Sequence, residues 1–85
     1  MSQDFKKRVA KWEKETQECL LEMKKMASLP SELKRRCAEL RSKGKSLQEE
    51  LERRMINRDI TQESDYKRIE SQLIELNDTE KSLMQ

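Results

Sequence analysis

The sequence is poor in the residues on which most turns and most catalytic sites depend. Its 85 residues include one glycine, one proline and no histidine. β-Sandwiches and barrels need turn residues in numbers, so these fold classes are excluded. The lack of histidine excludes imidazole zinc sites and histidine-activated nucleophiles, and two cysteines cannot complete a four-thiolate metal site. We therefore expect no catalytic residue, no metal, no cofactor and no small-molecule substrate.

Long apolar runs are absent as well. The longest, Cys19 to Leu21, is far shorter than the roughly 20 apolar residues that span a bilayer. The N-terminal stretch is polar and charged, unlike the apolar segment of a signal peptide. Two cysteines without such a segment indicate free thiols in a reducing compartment, so the sequence predicts a cytoplasmic protein. Whether Cys19 and Cys37 ever pair stays open.

Charge is abundant and unevenly distributed. Charged side chains make up 42% of the residues and hydrophobic ones only 33%. Residues 1–45 contain 13 basic and 7 acidic side chains, a balance of +6. Residues 46–85 contain 6 and 10, a balance of −4, and the two halves sum to the net charge of +2. The halves attract each other if the chain folds back on itself. Otherwise they offer complementary surfaces for self-association or for a charged partner.

Apolar residues recur at steps of three and four, which predicts one all-α domain over residues 1–85 with helices near 3–28, 32–57 and 62–84. The first stripe is Phe5, Val9, Trp12, Thr16, Cys19, Met23 and Met26. The second is Leu33, Cys37, Leu40, Leu47 and Leu51, with Gly44 in its gap. The third is Tyr66, Ile69, Leu73, Leu76 and Leu83, interrupted by Glu80. The predicted fold is a helical hairpin or three-helix bundle with coiled-coil-like heptad packing.

Two breaks separate the helices, and the first leaves two architectures open. Residues 57–61 carry the asparagine, aspartate and threonine typical of a turn and a new helix start. Pro30 either reverses the chain, giving an up-down-up bundle, or only kinks one long helix over 3–57. Met26 and Leu33 are seven residues apart, so the heptad keeps its phase across the proline in both cases. The bundle is the safer prediction for a single chain, because the long helix would leave the first stripe exposed.

The predicted function is that of a non-enzymatic protein-interaction module, which packs apolar heptad stripes against helices of another protein or of its own copy. Each apolar side chain taken fully out of water contributes about 1.5–3 kcal/mol, and a chain this short buries little surface alone. Tryptophan beside basic residues is also typical of interaction hot spots, although core packing at a heptad position is the favoured interpretation of Trp12. The residues predicted to face the partner are Phe5, Val9, Trp12, Cys19, Met23 and Met26. Those predicted to hold the hairpin together are Leu40, Leu47, Leu51, Tyr66, Ile69, Leu73 and Leu76.

Two basic clusters, residues 6–8 with Lys11 and residues 34–36, suggest a second hypothesis, weak nucleic-acid binding through the basic N-terminal half. Nucleic-acid binders usually add a recognisable module, stacking aromatics or a larger positive balance. Here acidic residues are interleaved, which favours a solvated helix face. Nucleic acid is therefore a disfavoured partner.

The stretch from about Leu47 to Leu83 resembles the helix–turn–helix of small co-chaperones that guard the needle subunit in bacterial type III secretion. The resemblance rests on a polar turn over residues 59–65, followed by Tyr66, Leu76 and Leu83. It implies a cytoplasmic helical chain that supports a larger chaperone holding an aggregation-prone needle protein. The sequence departs from that family by an additional N-terminal helix.

A second resemblance is to spectrin-type repeats. It rests on Phe5 and Trp12, seven residues apart, at the start of three helices. It implies a structural spacer in a cytoskeletal protein. The later tryptophan usual in that pattern is missing, and 85 residues is short for such a repeat.

Overall fold

The computed structural model describes residues 3–55 and 63–84, which form three α-helices. Helix α1 spans Gln3–Lys24, α2 spans Ser31–Met55 and α3 spans Glu63–Met84, and these ranges contain no strand. Each helix packs against both others, so α1, α2 and α3 form an up-down-up three-helix bundle. The all-α prediction is confirmed, but α1 ends four residues earlier than predicted. The predicted turn at 57–61 lies outside the described residues.

The chain reverses direction at Pro30, so the alternative of one long kinked helix is wrong. The last turn of α1 tightens, with the amides of Lys25 and Met26 donating to the carbonyls three residues back at 3.2 and 3.1 Å. The Lys34 amide donates to the Pro30 carbonyl at 3.0 Å, which makes this carbonyl an acceptor for the first turn of α2. Proline has no amide to lose at a helix start, and Glu32 suits the positive end of the helix dipole.

The core is closed within the single chain. The three apolar stripes meet along the bundle axis, and among the described residues thirteen hydrophobic side chains are removed from water: Phe5, Val9, Trp12, Cys19, Leu20, Met23, Leu33, Cys37, Leu40, Leu47, Leu51, Ile69 and Leu76. Around this core pack the partly buried Leu29, Tyr66, Leu73 and Leu83. The large hydrophobic residues left exposed in the described ranges are Leu21, Met26, Ile74 and Met84. The expectation that a chain of this length leaves a whole stripe uncovered is therefore wrong.

Candidate functional site

The stripe predicted to face a partner lies inside the bundle. Five of its six residues, Phe5, Val9, Trp12, Cys19 and Met23, are at most 4% exposed. The reason is that α1 contacts both α2 and α3 and adds its apolar face to their shared core. Met26 differs, because it follows the end of α1 and is 42% exposed. These five side chains do not form a surface that a partner can contact, which corrects the predicted site.

Trp12 is held in place by a polar contact as well as by packing. Its indole Nε1 donates a hydrogen bond of 2.7 Å to the backbone carbonyl of Leu40 on α2. A buried indole N–H needs such an acceptor, because an unpaired donor in the core costs about 1–3 kcal/mol. Of the two interpretations of Trp12, core packing is the one that the structure supports.

The residues predicted to hold the hairpin together lie between α2 and α3 or at their edge. Leu40, Leu47, Leu51, Ile69 and Leu76 are buried, and Tyr66 and Leu73 are partly buried against them. The Tyr66 hydroxyl donates to the Glu52 carboxylate at 2.9 Å, which links the two helices near their connection. This hydrogen bond raises the pKa of the Tyr66 phenol, because ionisation would remove the proton that Glu52 accepts.

Both cysteines are free, buried and unsuited to nucleophilic chemistry. Burial raises the pKa of the Cys37 thiol to about 11, and the Glu80 carboxylate, 3.7 Å from Sγ, adds to this rise. Burial also raises the pKa of Cys19. Because the thiolate is the reactive form, both thiols act as small hydrophobic groups.

Glu80 interrupts the apolar stripe of α3 and is nevertheless buried. Its carboxylate forms an ion pair of 2.5 Å with Arg41 on α2, and Arg41 also donates to the Asn77 side chain at 3.4 Å. A buried carboxylate without a cation would be costly, so Arg41 makes this position tolerable. The sequence pattern gave no signal for this pair, since the two residues lie on different helices.

Ion pairs join all three pairs of helices, and Arg41–Glu80 lies between α2 and α3. Arg8 pairs with Glu50 and Arg36 with Glu22 between α1 and α2, and Arg68 pairs with Glu13 and Lys24 with Glu75 between α1 and α3. Arg8–Glu50, Lys24–Glu75 and Arg41–Glu80 join a cation of residues 1–45 to a carboxylate of residues 46–85, so the two halves attract within one folded molecule. The four α1 pairs named above each have at least one exposed side chain, and exposed pairs contribute only about 0.2–1 kcal/mol, so these pairs orient the helices more than they stabilise them.

These ion pairs engage one arginine in each of the two basic clusters. In the first cluster, Arg8 is paired with Glu50, whereas Lys6, Lys7 and Lys11 are exposed and form no ion pair within the described residues. In the second cluster, Arg36 is similarly paired with Glu22. Neither cluster therefore presents an unbroken set of free cations.

A second heptad series lies on the side of α1 that faces solvent. We name it the outer face of α1, and it consists of Lys7, Ala10, Lys14, Gln17 and Leu21, at steps of three, four, three and four. All five residues are exposed, and Leu21 is 59% exposed although its neighbour Leu20 is only 1% exposed. Steps of three and four keep residues on one helix face, so this surface is a continuous strip along α1. The sequence prediction missed it, because it carries only one large apolar residue.

Grooves and acidic groups offer no comparable site. A groove of about 340 Å³ between α1 and α2 is lined by cations and carboxylates together, including Lys11, Lys43 and Glu15. Within residues 3–55 and 63–84, no three His, Cys, Asp or Glu side chains come close enough to hold a metal ion.

In the part of the chain that the structure describes, no helix has an apolar stretch long enough to cross a bilayer. Comparisons with protein-family models, with curated proteins and with solved structures find no match to this chain.

Proposed function

We propose that this chain is a non-enzymatic protein-interaction module of the cytoplasm, which binds one helix of another chain on the outer face of α1. One observation carries the proposal: a bundle whose core is already closed presents a second, fully exposed heptad series with Leu21 protruding from it. Two helices pack when residues at heptad spacing interdigitate, so such a strip suits the addition of a fourth helix.

The pre-formed bundle also favours this function energetically. A partner helix that binds to a folded surface orders only itself, so the association avoids the entropy cost of folding the module at the same time. Leu21 supplies the apolar contact, and the polar residues around it fix the orientation of the incoming helix.

The resemblance of residues 47–83 to needle-subunit co-chaperones gives a narrower form of the same proposal. The α2–α3 hairpin with Tyr66 close to its connection is compatible with that form. The partner would then be a larger chaperone.

Photo-crosslinking in the cell that makes the protein tests the proposal. The photoreactive residue p-benzoylphenylalanine replaces Ala10 on the outer face of α1 or, as a matched control, Ala38, an exposed alanine of α2. We expect one discrete crosslinked chain from position 10 and none from position 38. Equal crosslinking from both positions, or none from either, would contradict the proposal.

A further inference from the structure

We propose that the helix bound by the outer face of α1 is acidic, and that its carboxylates pair with lysines which the bundle itself leaves unpaired. This inference rests on the proposed function and names the chemical class of the partner. It depends on which cations form ion pairs between helices of the bundle and which cations remain unpaired at its surface.

The bundle uses mainly arginines for its own ion pairs. Within residues 3–55 and 63–84, four of the five cations that bridge two helices are arginines: Arg8, Arg36, Arg41 and Arg68. Arginine suits such fixed pairs, because its planar guanidinium forms directional hydrogen bonds with carboxylates. The fifth cation, Lys24, pairs with Glu75 at the α1–α3 edge.

Most lysines of α1 remain available. Lys6, Lys7, Lys11 and Lys14 are exposed, as is Lys25 just beyond the end of the helix, and none of the five forms an ion pair within the described residues. At a rise of about 1.5 Å per residue, the outer face of α1 from Lys7 to Leu21 extends over roughly 21 Å of helix axis. A strip of this length matches about four turns of an incoming helix.

The outer face of α1 contains no acidic residue, and most of the acidic residues of α1 lie away from it. Glu13 and Glu22 are directed to the neighbouring helices by their ion pairs, and Glu15 lines the groove between α1 and α2. The carboxylates nearest to the strip are the exposed Asp4, three residues before Lys7, and the exposed Glu18, four residues after Lys14. The outer face of α1 is therefore a positive surface with Leu21 as its large apolar residue, and it is complementary to a helix that carries carboxylates beside an apolar position.

Two other polyanions fit the same surface less well. A helix that lies on a membrane inserts its apolar face below its lysines, whereas the apolar face of α1 is buried in the bundle core. Single-stranded nucleic acid is held by aromatic stacking and by arginine, but Phe5 and Trp12 are buried. Tyr66 donates to Glu52, and Arg8, Arg36, Arg41 and Arg68 are engaged in ion pairs.

The test uses a labelled synthetic peptide of about three heptads with leucine at a and d and glutamate at e and g. Its binding to the full chain is followed by fluorescence anisotropy at low and at physiological salt. We expect binding that weakens with salt, because exposed charges are screened over about 10 Å at 0.1 M ionic strength. A peptide with lysine in place of the glutamates should not bind.

Paired charge reversals locate the site. Lys7→Glu with Lys14→Glu should weaken binding by about tenfold or more, since two attractive contacts become repulsive. Lys34→Glu with Lys45→Glu, which reverses two exposed lysines of α2, should change it by less than about twofold. Leu21→Ser should weaken binding several-fold at both salt concentrations, because its contact is apolar. Circular dichroism confirms that each variant remains helical.

Each alternative to an acidic partner helix gives its own result in these binding experiments. Tighter binding to vesicles of phosphatidylserine and phosphatidylcholine, or to a random DNA duplex or single strand, than to the acidic peptide would overturn the inference. Equal loss in both double reversals would overturn it as well. If the crosslink at position 10 captures a chain whose contacting helix is not acidic, the proposed function stands and this inference fails. If no crosslink forms, both fail.

Discussion

The indole of Trp12 occupies the space that a side chain at position 44 would fill. A Cβ atom built on Gly44 would lie 2.5 Å from Cζ2 of Trp12 and 2.7 Å from Cδ2 of Leu73, well inside van der Waals contact. A glycine inside a helix costs about 1 kcal/mol relative to alanine, so its presence in the middle of α2 needs a reason. Here the reason is steric, because the missing side chain lets the largest residue of α1 reach the centre of the bundle.

We expect Gly44→Ala to destabilise the protein, although alanine is the better helix former. The added methyl group must displace a rigid indole ring, and overpacking of this kind costs about 1–3 kcal/mol. Urea denaturation followed by circular dichroism measures the change in the free energy of unfolding. Ser42→Ala, at an exposed position of the same helix, is the control and should be neutral or slightly stabilising. An equal or larger gain from Gly44→Ala would show that the two residues are not in close contact.

Substitution by alanine should change the free energy of unfolding by very different amounts at two adjacent leucines of α1. Leu20 is buried, and Leu20→Ala should lower the free energy of unfolding by about 2–5 kcal/mol through lost burial and a residual cavity. Leu21 is exposed, and Leu21→Ala should change it by less than about 0.5 kcal/mol. The same denaturation experiment measures both. Similar losses in the two variants would indicate that Leu21 is buried, for example in a dimer, which sedimentation would reveal.

The periodicity of the sequence was sufficient to predict the helices and most of the core. Residues at heptad positions, such as Phe5, Cys19 and Leu40, are buried because steps of three and four place them on one face. The direction of the chain after Pro30 could not be predicted, since the seven-residue spacing across it fits a kink and a reversal equally. The burial of Glu80 depends on Arg41, which only the packed bundle brings close.

The candidate site was predicted wrongly for a related reason. The sequence pattern identifies an apolar stripe but does not say which helices will cover it, so residues of the core were assigned to a partner. The outer face of α1 can be proposed as a site only after the ion pairs are known, because free and paired lysines are indistinguishable in the sequence.

The Cys37 thiol should make stability depend on pH in the alkaline range. Its pKa is raised from 9.0 to about 11 in the fold, mainly by burial and then by Glu80. A raised pKa means that the folded state holds the proton more tightly, so this contribution is complete below about pH 9 and decreases as the pH rises toward about 11. Because Tyr66 and the lysines also titrate there, the measurement is the difference between the natural protein and Cys37→Ala. A difference that is constant across this range would contradict the burial of the thiol.

Two arginines that bridge helices should differ in their contribution to stability. Arg41→Gln removes the cation from the buried Glu80 carboxylate, and leaving a buried charged acceptor without its partner should cost about 1–3 kcal/mol or more. Arg36→Gln breaks a pair in which both side chains are exposed, so its cost should lie within about 1 kcal/mol. Urea denaturation of both variants at neutral pH measures the two losses. Adding Glu80→Gln to Arg41→Gln should recover part of the first loss, since a neutral amide is easier to bury than a carboxylate. If the double variant is no more stable than Arg41→Gln alone, the cost does not come from the uncompensated charge of Glu80.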